Sequence, residues 1–228
     1  RASGGGAALA RGGPGSSTVV LRERYPRAKI LGVDSSPVMI ETARKTYPDI
    51  DFQLCDVSAR LDELPADFDV VFSNACIQWV PDHPHLIPGL LARLRVGGVL
   101  AVQTPMNYEE PIHRIIGGIV HSPAFADKLP QQREFYNLTP PEYWELLHAH
   151  ASAFRMWKVT YMHTLPSHEA IMDWYRGTGM RPYLQALDDA GRKKFEAEVF
   201  SQVREEYPTQ SDGSILFPSP RCFCLAAR

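Results

Sequence analysis

Short apolar runs that close on a polar side chain recur through the first half of this chain. Residues 29–34 (Lys-Ile-Leu-Gly-Val-Asp), 51–56 (Asp-Phe-Gln-Leu-Cys-Asp) and 68–73 (Phe-Asp-Val-Val-Phe-Ser, running into Asn74 and Ala75) are strand-sized and end in Asp34, Asp56 and Ser73. Between them the period changes. Ser36 followed by Pro37 reads as a helix cap and first turn, with Met39, Ile40 and Ala43 as an apolar stripe that stops before Pro48. Residues 83–95 carry Leu86, Leu90, Leu91 and Leu94 at helical spacing, and Gly97 and Gly98 are expected to break that helix before a fourth strand at 99–103. Alternating strand and helix predicts an α/β fold with a doubly wound, mostly parallel sheet.

The pattern loosens after Pro105. Residues 106–141, rich in proline, histidine and aromatics, read as a crossover that covers a substrate. A helix is predicted at 140–150, a strand at 154–165 and further helices over 167–206, with Gly177 and Gly179 between them. Residues 213–227 read as a hairpin partner strand, and Trp144 and Trp174, at helical spacing with Leu147 and Ile171, as core. With 228 residues, 44% of them hydrophobic and 22% charged, one domain over 1–228 is expected: 11–105 as the cofactor-binding half, 106–210 as covering crossover and helices, 211–228 as terminal strands. A net charge of −2 without a Lys/Arg block argues against nucleic-acid or membrane-surface binding, and no apolar run is long enough for a membrane span, so the expected location is the cytoplasm. Cys55, Cys76, Cys222 and Cys224 show no metal spacing with histidine and are expected to be reduced core thiols; no metal site is expected.

Candidate chemistry sits at the strand ends. In an open parallel sheet, ligands gather at the carboxyl ends of the strands, and a carboxylate there can accept from both hydroxyls of a nucleoside sugar. Asp34 has that place. Upstream lies a glycine-rich turn, Gly12-Gly13-Pro14-Gly15-Ser16-Ser17-Thr18, and Gly15 precedes Asp34 by 19 positions, close to the spacing of a nucleotide-binding strand–helix–strand unit. Glycines let the backbone approach a ligand, although such clusters are also common in plain loops.

Taken together, Gly-Gly-Pro-Gly-Ser-Ser-Thr, Gly-Val-Asp-Ser-Ser-Pro-Val-Met, Asn-Ala-Cys-Ile-Gln-Trp-Val-Pro-Asp-His and Gly-Gly-Val-Leu-Ala-Val-Gln-Thr-Pro resemble the ordered motifs of class I S-adenosylmethionine-dependent methyltransferases. Asn107-Tyr-Glu-Glu-Pro-Ile-His113, Pro166-Ser-His-Glu-Ala-Ile171, Trp174, Gly177-Thr-Gly-Met-Arg-Pro-Tyr-Leu184 and Asp212-Gly-Ser-Ile-Leu narrow the resemblance to the trans-aconitate methyltransferase family, from Gly13 onward. The resemblance implies a seven-stranded, Rossmann-like sheet and S-adenosylmethionine as cofactor. It places the cofactor against Gly13, Gly15, Asp34 (ribose), Ser35, Asp56 and Val57 (adenine) and Asn74 (methionine part). Loop capping by Asp56 and a turn role for Asn74 are the structural alternatives. Gln78 and Trp79 would wall the methyl-transfer site, with core packing the alternative for Trp79.

One departure concerns the N-terminus. The family reaches its glycine turn by a buried first strand ending in Asp-x-Gly, and here Leu9, Ala10 and Arg11 stand at those positions. Two readings stay open: an altered or truncated N-terminus with the first strand missing or changed, or improvisation of part of that strand by residues 7–10 and those around them. Loss of the acid would cost about 1.5 to 3 kcal/mol of cofactor binding, roughly 10- to 150-fold.

The implied reaction is attack of a substrate carboxylate oxygen on the sulfonium methyl group, giving a methyl ester. A carboxylate is already ionised at pH 7, so no catalytic acid or base is nominated, and catalysis is expected to rest on alignment and water exclusion. A polycarboxylic substrate needs cations and donors: Arg181 first, because a guanidinium forks onto a carboxylate, then Tyr108, His113, His168 and Tyr183. A surface ion pair is the plain alternative for Arg181, and a structural role for each histidine. A catalytically silent binding module and a methyltransferase for another small acceptor remain the alternative functions.

Overall fold

The computed structural model describes residues 7–11 by their backbone and residues 15–131 and 134–228 with their side chains. The chain divides into two compact units. One comprises Arg1–Pro105, Phe135–Val159 and Cys222–Arg228; the other comprises Met106–Glu134 and Thr160–Arg221.

In the first unit β1 (Ala7–Arg11) is followed by α1 (Ser16–Arg24), β2 (Lys29–Asp34), α2 (Pro37–Thr46), β3 (Asp51–Leu54), β4 (Phe68–Asn74), α3 (His83–Ala92) and β5 (Leu94–Pro105). With β6 (Ala153–Leu165) and β7 (Ile215–Ala227), which each run from one unit into the other, the sheet order is β3-β2-β1-β4-β5-β7-β6. From β1 the chain winds outward through β2 and β3, then returns to the other side of β1 with β4. That reversal makes the carboxyl ends of β1 and β4 the topological switch point, where such sheets open a crevice for a ligand.

Of the two readings of the N-terminus, the structure takes the one in which residues 7–10 and those around them supply the strand that the sequence left missing or altered. Residues 7–11 form the central strand, parallel to β2 from Ala7↔Lys29 to Arg11↔Val33 and to β4 from Ala8↔Val70 to Arg11↔Ser73. A strand is held by its backbone ladder, so an alanine-rich run without alternation suffices between two apolar neighbours. Apolar side chains then cover the sheet on both faces. Leu21, Ile30, Ile40, Ala43 and Phe52 pack with α1 and α2, while Val71, Leu100, Val102, Ile87 and Leu90 pack with α3.

Gly97 and Gly98 do not precede the fourth strand as expected; they lie inside β5. Gly97 has φ +76, the register against β4 shifts between Phe68 and Val70, and a Cβ on Gly98 would stand 2.8 Å from the Phe68 carbonyl oxygen. The pair therefore builds an irregularity within a continuous strand, where only glycine fits. α5 (Pro140–His150) has the predicted bounds and opens on a capping box of Thr139 and Glu142.

The second unit holds α4 (Pro111–Val120), α6 (His168–Arg176), α7 (Arg181–Ala186) and α8 (Asp189–Glu206). α4 was hidden in the proline-rich crossover: Pro111 occupies its first turn, and Ile112, Ile115, Ile116 and Ile119 form a stripe that packs in one cluster with Phe195, Val199 and Val203 of α8. Residues 213–227 are not a hairpin strand. β7 neighbours β6 in the sheet, but α6, α7 and α8 intervene in the chain. Trp144 and Trp174 are 46% and 39% exposed, so they are not core; Leu147 and Ile171 on the same helices are. All four cysteines are buried, and among the described residues none is in a disulfide. No helix among the described residues is long and apolar enough to cross a membrane.

Candidate active site

The carboxyl ends of the first unit's strands carry the predicted residues Gly15, Asp34, Ser35, Asp56, Val57 and Asn74 on or just after them. Gly15 caps α1 with φ 98 and ψ −3, a left-handed conformation. A Cβ there would meet the Tyr47 ring at 2.7 Å, so glycine is required for both conformation and space. Gly13 lies outside the described residues. Asp34 ends β2, and its Oδ1 accepts from the Ser36 amide at 2.8 Å, which fixes the carboxylate in the turn that starts α2; Ser35 is exposed on that turn. Asp56 follows β3 by two residues, and its Oδ1 accepts from the amide (3.0 Å) and hydroxyl (2.7 Å) of Ser58, so this acid does brace its loop. Val57 beside it is buried in the core.

Asn74 ends β4, exposed and in register with Gln103 of β5. The left-handed turn residue is its neighbour Ala75, with φ +49. The Ala75 amide donates to both the backbone oxygen (2.9 Å) and the side-chain oxygen (3.1 Å) of Gln103. A non-glycine residue held at positive φ at the switch point is strain of the kind that collects at functional sites. Under the same edge the Ser73 hydroxyl is buried without a hydrogen-bond partner among the described residues.

After this turn come Gln78 and Trp79. Gln78 is buried; its amide donates to the Ala75 carbonyl at 3.0 Å, its backbone oxygen accepts from the Tyr136 amide at 2.9 Å, and its Oε1 has no partner among the described residues. Trp79 is partly exposed and packs on Phe135, ring centroids 4.8 Å apart. His83, which sequence reasoning passed over, anchors this segment. Its Nε2 lies 2.9 Å from the Ile77 carbonyl oxygen and so carries the proton, which leaves Nδ1 to accept from the Tyr143 hydroxyl at 2.7 Å. Burial lowers its pKa and keeps it neutral.

The other five predicted residues belong to the second unit. Tyr108 and His113 are half-buried on one stretch. His113 Nε2 stands 3.2 Å from the Tyr175 hydroxyl, and burial pushes the imidazole down to about 4. His168 is engaged through Nε2 with the Tyr207 carbonyl at 2.7 Å. Arg181 is exposed at the start of α7 and makes no ion pair among the described residues, whereas Tyr183 is buried in the apolar cluster against Phe195. The Tyr175 hydroxyl thus has polar neighbours that the sequence did not announce as a group: His113, Asn107 and Arg221. The available signal was Arg221 itself, a lone cation in the otherwise uncharged strand Ile215–Ala227.

This arrangement fits a nucleoside-bearing cofactor in the first unit: a glycine-only turn at a helix start, a fixed carboxylate at the end of β2, and a strained turn with orphaned buried polar atoms at the end of β4. Residues 11–98 match the family model described as "Methyltransferase domain". Among solved structures, the chain is similar to the YcgJ protein from Bacillus subtilis, with TM-score 0.63 and 15% identity, covering 98% of this chain and 92% of that one. It is also similar to a Haemonchus contortus phosphoethanolamine N-methyltransferase solved with S-adenosylhomocysteine, with TM-score 0.57 and 16% identity, covering 100% of this chain and 50% of that one. At these identities the likeness is one of fold. In sequence the chain is 41% identical to the trans-aconitate 2-methyltransferase of Azoarcus sp. strain BH72, over 95% of this chain and 84% of that protein. It is 38% identical to the same-named protein of Escherichia coli O157:H7, over 95% and 83%. With such identity over nearly the whole of its length, the chain belongs to the trans-aconitate 2-methyltransferase family.

Proposed function

We propose that the chain transfers the methyl group of S-adenosylmethionine to one carboxylate of trans-aconitate, giving a methyl ester and S-adenosylhomocysteine. The observation that carries this reading is the 41% identity across 95% of the chain to a protein of that activity's name. When bound, the cofactor supplies an electrophilic methyl group on a sulfonium centre. The residues that hold it are those of the sheet edge. Asp34 accepts from the ribose hydroxyls, the backbone at Gly15 and Ser35 approaches closely, Asp56 and Val57 flank the adenine, and Asn74 meets the methionine part; Gly13, outside the described residues, is assigned to the cofactor by its motif alone.

The substrate carboxylate is ionised at neutral pH, so the protein has no proton to remove. Its work is to align the acceptor oxygen and keep water away. His113, held neutral at pH 7, serves as an uncharged donor or acceptor and not as a cation. Tyr108, Gln78 and Trp79 supply further polar and apolar walls; Arg181, His168 and Tyr183 complete the substrate set in this reading.

The test is incubation of the purified chain with S-adenosylmethionine and trans-aconitate, with mass-spectrometric detection of the ester, beside calorimetric titration with S-adenosylhomocysteine. Ester formation supports the reading. A protein that binds S-adenosylhomocysteine but makes no ester has another acceptor. Leu9-Ala10-Arg11 in place of the family's Asp-x-Gly favours a second reading, a scaffold without catalysis. A folded protein that binds no S-adenosylhomocysteine would decide for that one.

A further inference from the structure

Arg221 stands out in the second unit by what surrounds it. The guanidinium is half-buried, and among the described residues no carboxylate pairs with it. In the same unit Arg176 shows the usual solution: it is gripped by Glu169 at 2.6 Å, Asp173 at 2.5 Å and Glu196 at 2.5 Å. Near Arg221 stand instead two phenols, Tyr175 and Tyr161, and the Tyr175 ring also meets Phe217 of the same strand, centroids 6.2 Å apart. Withdrawing a guanidinium from water without an anion is costly, so such a site is poised to take one.

The neighbours are hydrogen-bond donors. The Tyr175 hydroxyl lies 3.2 Å from His113 Nε2 and is also bonded by the Asn107 side chain. The Pro220 carbonyl accepts from the Met106 amide at 2.9 Å, which pins the strand carrying Arg221 beside the start of the segment that carries Asn107 and His113. A planar fork of donors beside two phenols, one of them bonded by an amide, with no carboxylate pairing it among the described residues, has the chemistry of a carboxylate site.

We infer that Arg221, supported by Tyr161, Tyr175 and Asn107, binds a carboxylate of the substrate other than the one that accepts the methyl group, and so makes the enzyme selective for polycarboxylic acids. This rests on the proposed function and deepens it; Arg221, not the exposed Arg181, is the principal cation of the substrate site.

Arg221→Gln and Arg221→Lys in the full chain test it. The expected result for Arg221→Gln is a KM for trans-aconitate raised about 10- to 100-fold, with unchanged affinity for S-adenosylhomocysteine as the check on folding. Arg221→Lys keeps the charge but loses the fork and falls between. A structural role is separated by a second readout: a dicarboxylate lacking one non-reacting carboxylate. The parent should discriminate against it and Arg221→Gln should not. An unchanged KM, or undiminished discrimination, in a variant that binds S-adenosylhomocysteine normally overturns the inference. If the parent binds S-adenosylhomocysteine but does not methylate trans-aconitate, the proposed function falls, and the anion site is decided by citrate titration of parent and Arg221→Gln. Weaker binding by the variant sustains the site; equal binding removes it.

Discussion

His113 makes stability depend on pH in a direction the structure fixes. Burial lowers its pKa from an ordinary 6.5 to about 4, so the folded chain holds the imidazole neutral where the unfolded chain would protonate it. The unfolded state then binds the extra proton at mildly acid pH, and stability falls as pH drops. The contribution is complete above pH 6.5 and is lost progressively between pH 6.5 and 4. At about 1.4 kcal/mol per pKa unit, the loss is about 2 kcal/mol at pH 5 and about 3 kcal/mol at pH 4. His113→Phe keeps a flat ring but cannot titrate. It loses the contact with the Tyr175 hydroxyl equally at every pH, so its effect there is an offset and not a slope. Urea unfolding of parent and variant at pH 7.5 and pH 5, followed by tryptophan fluorescence, isolates the term, since the other seven histidines, His83 included, are common to both. The parent should lose about 2 kcal/mol more than His113→Phe between those conditions. Parallel losses would refute the burial argument.

Asp34→Ala removes the carboxylate at the end of β2 and should weaken S-adenosylhomocysteine binding by about 10- to 150-fold in calorimetry, the worth of a charged hydrogen bond; an unaltered dissociation constant takes Asp34 out of the cofactor site. Tyr143→Phe strips His83 Nδ1 of its donor at a site 1% exposed, and should cost about 1 to 3 kcal/mol in urea unfolding at neutral pH. A change below about 0.5 kcal/mol would mean that the ring finds another partner.

The alternation of strands ending in polar side chains with helices of 3.6 period was enough to place β2, β4, α2, α5 and the polar residues at the two strand ends, because local pattern and capping chemistry specify those elements: the Ser36 side chain accepts from the Met39 amide, as its position before Pro37 implied. Motif order carried the family. Composition left residues 7–11 open, since a central strand needs only a backbone ladder with β2 and β4, and its alanine-rich run carries no strand pattern. It misled at Gly97 and Gly98, where helix-breaking residues serve an irregularity within β5, and at Trp144 and Trp174, whose helical spacing with buried leucine and isoleucine does not say which side of the stripe meets solvent.

For the proposed site the division follows the same line. Asp34, Gly15 and Asn74 were nominated because each nomination, a carboxylate at a strand end, a glycine in a turn before a helix, a polar residue after a buried strand, rests on a few residues of sequence. Tyr175, Asn107 and Arg221 were not, since they come from α6, the segment after β5 and β7, far apart in the chain. Sequence determines the ends of elements. Which buried cation lacks a counter-charge depends on what folding brings around it, and that only the tertiary structure decides.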